Sequence, residues 1–185
     1  MQRPKNLSCI CVCVVELEPL SATGIFVVTR RLEVYQTIVF DYFDGEGTYY
    51  ELLEDEEKLE KELSLLATNM QAFLDEEEVV INGEKARPRV VGVDIGFKSV
   101  PEEPFITYFI FFKGKPVRGV NYYENIYENT VAEYPITAYW YFPLKSKIVN
   151  VEMSGEVEII GSNILILRLN EGERIYGYEK IEFEL

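Results

Sequence analysis

Histidine is absent from this 185-residue chain, tryptophan occurs once, and cysteine and methionine occur three times each. Without histidine, neither a Ser-His-Asp nor a Cys-His nucleophilic arrangement can be built, and zinc sites that use imidazole are excluded. The phosphate-cradling patterns Gly-x-Gly-x-x-Gly and Gly-x4-Gly-Lys-Ser/Thr are missing as well. No stretch reaches the roughly 18 consecutive apolar residues of a membrane span, so no membrane partner is expected.

Basic residues are scarce: 18 Lys and Arg face 32 Asp and Glu, for a net charge of -14. The basic groups that do occur, such as Arg30-Arg31 and Lys113–Arg118, are short. A surface of this sign repels phosphate backbones, and no nucleic-acid partner is expected.

The three cysteines, Cys9, Cys11 and Cys13, alternate within an apolar run. On a strand they share one face, about 6.6 Å apart along it. A straight strand cannot wrap ligands round one ion, so they read as small buried hydrophobes, and no metal or other cofactor is expected. An odd count without a spaced framework fits a reducing compartment. Arg3 and Lys5 before the run are features of an export leader, but Glu16 and Glu18 follow at once with no clean small-x-small cleavage site. The expectation is a first strand, Leu7 to Leu17, in a cytoplasmic protein.

What the chain does contain is apolar and aromatic: 48% hydrophobic residues, with 13 Tyr and 11 Phe. That is enough to offset the entropy of ordering a backbone, and aromatic with β-branched composition favours strands. At this length one domain, 1–185, is expected; the alternative is a small unit at 1–78 carrying the helix, followed by a sandwich at 79–185.

One helix is legible. Leu59, Leu63, Leu66, Met70, Phe73 and Leu74 recur at three- and four-residue steps, predicting an amphipathic helix over about 55–75 capped by Asp55 or a neighbour. The acidity gathers round it. From Glu51 to Glu78 there are 11 acidic residues against Lys58 and Lys61, which accounts for nine of the 14 net negative charges.

Elsewhere the pattern is β. Ile25–Thr29 and Glu33–Phe43 read as strands joined about Arg30-Arg31, and Asn82-Gly83 marks a hairpin with positive φ at both residues. Phe105–Phe112 is apolar at every alternate position and its neighbours, as for a central strand covered on both faces. From Val149 onward short alternating segments separated by Gly turns read as an antiparallel meander running to Leu185. The expected fold is mainly β: an antiparallel two-sheet sandwich or partly closed barrel of about nine to eleven strands with one inserted amphipathic helix. Acid-rich, histidine-free composition also suits a heat-stable protein.

The most unusual segment is a tyrosine-rich connection, residues 121–134, with a near-duplication of Tyr-Glu-Asn. Its Tyr122, Tyr123, Glu124, Asn125, Tyr127, Glu128, Asn129 and Tyr134 form the candidate binding set, because tyrosines offer flat amphipathic area while Glu and Asn oxygens accept hydrogen bonds. Were the protein an enzyme, it would have to work with carboxylates alone. A glycan hydrolase needs two acids about 5–9.5 Å apart, and Asp94, Glu124, Glu128 and Glu133 are the candidates. The leading expectation is a non-enzymatic binding or structural domain that contacts protein, or a second copy of itself, through the tyrosine-rich connection or an aromatic sheet face. It carries the corollary that no carboxylate pair is buried. The alternatives are that hydrolase and a carrier of a small apolar ligand between curved strands.

Overall fold

A computed structural model of the chain describes residues 17–185. The first strand expected at Leu7–Leu17, with its three cysteines, lies outside the described residues except for Leu17.

Fourteen strands and two helices follow one another: β1 (Glu18–Val28), β2 (Glu33–Phe43), α1 (Thr48–Leu52), α2 (Glu56–Glu76), β3 (Glu78–Ile81), β4 (Glu84–Lys85), β5 (Arg89–Phe97), β6 (Pro104–Lys113), β7 (Val120–Ile126), β8 (Thr130–Val131), β9 (Ile136–Tyr141), β10 (Lys147–Glu152), β11 (Glu156–Ile160), β12 (Ile164–Leu169), β13 (Arg174–Ile175) and β14 (Tyr178–Glu184). A seven-stranded sheet in the order β11-β12-β9-β1-β2-β6-β5 faces a five-stranded sheet in the order β10-β14-β7-β3-β4, and β13 pairs with β8 in a small ribbon. The protein is a β-sandwich with an inserted helix, and its sheets do not close into a barrel.

Local chemistry explains the elements. The β1–β2 turn closes with Leu32 N–H on the Thr29 carbonyl and Thr29 N–H on the Glu33 carbonyl. Asn82 and Gly83 both take positive φ, 52° and 78°, in the β3–β4 hairpin. Asp55 caps α2 by accepting from the Lys58 N–H, and the Lys58 ammonium beside it holds the Asp55 carboxyl below its usual range. Leu66 and Leu74 of α2 are buried, with Leu59, Leu63 and Met70 packed on the core at their side. Each fully buried Leu stabilises the docked helix by about 1.5–3 kcal/mol. The helix lies against edge strand β5, where the Gln71 amide accepts from Val90 N–H and donates to the Pro88 carbonyl, closing part of an open sheet edge.

Between the sheets the core is ring-rich. Phe26 stacks on Trp140 at 3.9 Å between centroids, Tyr123 lies 4.7 Å from Trp140, and Phe142 lies 4.5 Å from Phe183.

Four features depart from the sequence expectations. The described strands number 14 rather than nine to eleven, because two-residue ladders leave no periodic trace. The sheet is not wholly antiparallel, since β1 and β9 run parallel from Ala22–Ile136 to Val27–Tyr141. The C-terminal strands are not a meander: β11 and β12 belong to the larger sheet, while β10 and β14 pair with each other in the smaller one. A short second helix, α1, follows the turn after Phe43 where no helix was expected; buried Asp44 accepts from the Tyr49 N–H and holds it.

Candidate functional site

The tyrosine-rich segment is not a loop. Residues 120–126 form β7, the middle strand of the five-stranded sheet, hydrogen-bonded to β14 on one side and β3 on the other. Alternation along it therefore sends the candidate residues to opposite faces. Tyr123 and Asn125 point inward and are buried, whereas Tyr122 and Glu124 point outward and are half-buried. Lys180 Nζ sits 5.2 Å from the centre of the Tyr122 ring, and Glu124 accepts from the Tyr178 hydroxyl at 2.8 Å. Tyr127 is half-buried against the core, its N–H donating to the Gly177 carbonyl. Tyr134 is buried with its ring edge-on to Phe40 at 6.4 Å. Glu128 and Asn129 are exposed, and Asn129 joins Thr130, Val131, Arg174, Ile175 and Tyr176 round a shallow cleft of about 300 Å³.

Two of the candidate acids lie on opposite outsides of the sandwich. Asp94 is exposed on β5, on the outside of the seven-stranded sheet opposite Thr107; Glu124 is on the outside of the five-stranded sheet, with the thickness of the sandwich between them. Glu128 and Glu133 are exposed on the connections flanking β8.

The carboxylates that do meet are Glu77 and Glu179. Glu179 on β14 stands directly across from Asn125, and Glu77 lies just before β3, whose Val79 pairs Asn125 from the other side. Asn125 Nδ2 donates to Glu77 Oε2 at 2.9 Å, and the Tyr123 hydroxyl donates to Glu179 Oε1 at 3.0 Å. Burial, then the charge of Glu77, pushes the Glu179 carboxyl up to about 7; burial also raises Glu77. The Tyr123 and Tyr127 phenols are raised too, first by burial and then by the negative charge of Glu179 and Glu77. Both carboxylates are half-buried, so the pair is not the fully buried one that the binding-domain expectation excludes. Among the described residues, no three Cys, Asp or Glu converge to hold a metal ion.

Sequence reading missed both acids. Glu77 is one of three consecutive glutamates and carries no distinguishing mark. Glu179 carried one: it falls at the same parity as Ile181 and Phe183, the inward positions of a strand whose even residues are polar.

A second surface stands out on the other side of the molecule. The outer face of the seven-stranded sheet carries Val27, Tyr35, Phe109, Phe111, Tyr139 and Tyr141, none of which joins the core. Their neighbours follow from the register: Val27 pairs with Tyr35, Tyr35 with Phe111, and Val27 with Tyr141. Tyr35 is 53% exposed, Val27 44%, Phe109 43% and Tyr141 41%, with the Tyr35 and Phe111 rings 5.2 Å apart. β6 thus turns Phe109 and Phe111 to this face and Ile106, Tyr108, Ile110 and Phe112 to the core.

No family model and no curated protein matches the chain. A solved structure of a proposed protease from Parabacteroides distasonis ATCC 8503 aligns with 92% of this chain and 40% of its own length, at 6% identity and a TM-score of 0.33. The chain spans well under half of that protein, and a likeness of this degree carries no argument about fold or function. No helix among the described residues is long and apolar enough to cross a membrane.

Proposed function

We propose that the protein is a non-enzymatic binding domain whose contact surface is the outer face of the seven-stranded sheet and whose partner is a protein. The contrast between the two outsides of the sandwich carries this reading. The five-stranded sheet turns Glu78, Tyr122, Glu124, Lys180 and Glu182 to water, with Lys180 paired to Glu182 at 2.8 Å, as an antiparallel sheet with one wet face does. The seven-stranded sheet turns out aromatic and β-branched side chains instead. Solvent gains nothing from such a face, and a contiguous apolar patch rimmed by polar groups is the usual mark of a contact surface. Tyrosine and phenylalanine are also the anchors enriched at the centres of protein interfaces.

Of the alternatives, a hydrolase built from Asp94, Glu124, Glu128 and Glu133 draws no support from Asp94 and Glu124, which lie on opposite outsides of the sandwich, and the ring stack about Trp140 occupies space a carrier would need.

The test compares three proteins in quantitative capture from host extract and in light scattering: the full chain, the outer-face variant Tyr35→Lys/Phe109→Lys, and the opposite-face variant Tyr122→Lys. The expected result is a partner, or self-association, retained by Tyr122→Lys and lost from Tyr35→Lys/Phe109→Lys. Equal binding by all three, or loss only in Tyr122→Lys, would overturn the assignment of the face.

A further inference from the structure

The outer face of the seven-stranded sheet is wide and close to neutral in a chain of net charge -14. Two cross-strand rows run side by side over its four central strands. One joins Tyr141, Val27, Tyr35 and Phe111, and the next joins Tyr139, Ile25, Thr37 and Phe109, each residue standing beside the last in register. Charges that border these rows are paired within the face: Arg168 with Glu158 at 3.0 Å and Lys98 with Asp41 at 3.0 Å. Edge strand β5 carries one charge of each sign there, Arg89 and Asp94. The acid excess lies elsewhere. Nine of the 14 net negative charges fall between Glu51 and Glu78, and α2 packs Leu66 and Leu74 into the core, on the inner side of the same sheet.

Resting on the contact face proposed above, we infer that its occupant is a second copy of this chain, with the two seven-stranded sheets stacked face to face about a two-fold axis. Area supports this occupant first. Seven strands at about 4.8 Å spacing make a face about 29 Å wide, and with about 25 Å of strand length it offers on the order of 700 Å². A standard stable interface takes about 800 Å² from each partner. Shape supports it next, because a twisted sheet is matched over its full width by another sheet of the same twist, stacked about 10 Å away with strands within about 30°. A second copy necessarily carries such a sheet. Charge then separates this occupant from a basic partner. A protein drawn by the acids of α2 finds no net charge to pair with on this face. Two acidic chains meet most readily where neither is charged, and in this stack the acid-rich helices lie on the far sides of both sheets. The tyrosines suit the layer between, since their rings bury apolar area while their hydroxyls reach hydrogen-bond partners.

Thr37 stands at the centre of the face, between Ile25 and Phe109 in register, so a two-fold axis through that centre brings it close to its own copy. The experiment is sedimentation velocity on the purified full chain. At roughly 10 µM the native chain should sediment as a dimer, since interfaces of this size bind in the micromolar range or tighter. Thr37→Lys and Thr37→Glu should each loosen the dimer by roughly a hundredfold or more, because like charges then face each other. An equimolar mixture of the two should dimerise again, which misfolded chains cannot do. Tyr122→Lys, on the opposite outside of the sandwich, should remain dimeric. A native chain that stays monomeric at roughly 100 µM would overturn the second copy as occupant. A mixture that stays monomeric, or a dimer unmoved by either Thr37 variant, would overturn it too. The contact face is judged separately. If the native chain is monomeric yet a captured partner is lost from Tyr35→Lys/Phe109→Lys, the face stands and only this occupant falls; a dimer lost in Tyr122→Lys alone sinks both.

Discussion

Glu179 is a carboxylate set in a desolvated place beside a second one, Glu77. Its carboxyl is raised from 4.5 to about 7, by burial first and by Glu77 second. Because the folded value exceeds the unfolded one, the folded state holds this proton more tightly. The contribution to stability is fully present below pH 4.5 and is lost as pH rises to about 7. The shift corresponds to about 3 kcal/mol, shared between two acids that titrate together. Melting temperature should therefore fall between pH 4.5 and pH 7, and Glu179→Gln should flatten that slope and melt higher at pH 8. A native-like slope in the variant would remove Glu179 as its source. Asn121 is the contrasting case, a buried polar residue with every group used. Its Oδ1 accepts from Asn82 Nδ2 and Val117 N–H, and its own Nδ2 donates to the Val117 and Gly119 carbonyls, tying the β3–β4 hairpin to the loop before β7. Asn121→Ala strands these partners and is expected to cost about 2–4 kcal/mol in chemical denaturation, with the m-value unchanged.

Elements were legible to the degree that their signals are local. The α2 stripe, its Asp55 cap and the Asn82-Gly83 hairpin depend on residues within a few positions of one another, and all three are where the sequence puts them. The segment 121–134 was misread because Asn, Glu and Tyr in mixed order resemble a polar connection; its place at the centre of a sheet is decided by β14 and β3, which lie far away in sequence. Parity would have found the inward set Tyr123, Asn125, Tyr127 and Glu179, but only after both segments are taken as strands. Gly177 fixes where β14 begins. Its φ of +66° and the Tyr127 carbonyl, 2.2 Å from where a Cβ would sit, leave room for glycine alone. Gly177→Ala should lower stability by more than about 2 kcal/mol and displace Glu179 from Asn125, visible as a changed Tyr123 environment in near-ultraviolet circular dichroism. Leu66→Ala, in the buried stripe of α2, should cost about 2–5 kcal/mol while leaving the strand signal intact.

At the scale of the whole molecule, three surfaces with different chemistry share one scaffold. The exposed side of α2 gathers acids, the outside of the smaller sheet pairs its charges, and the outside of the larger sheet is apolar and aromatic. Substitutions on that last face should separate binding from folding. Phe109→Lys removes a ring that is 43% exposed and belongs to no core contact. Its thermal midpoint is expected to stay within a few degrees of the native chain, while any association measured by light scattering weakens. A large loss of stability instead would mean that the face is packed rather than presented.

The sequence by itself determined the chemistry that is unavailable, the β-rich class, the one long helix with its acids, and most strand positions, because composition, two-residue alternation and turn residues act over a few bonds. The tertiary structure alone decided which strands became neighbours, including the parallel pair of β1 with β9. It also decided which of the two apolar faces of β6 was covered, and that Glu77, Asn125 and Glu179 would meet. Those outcomes depend on contacts between segments more than a hundred residues apart, as in the pairing of Ala22 with Ile136, and the side chains of a strand record its parity but not its partner.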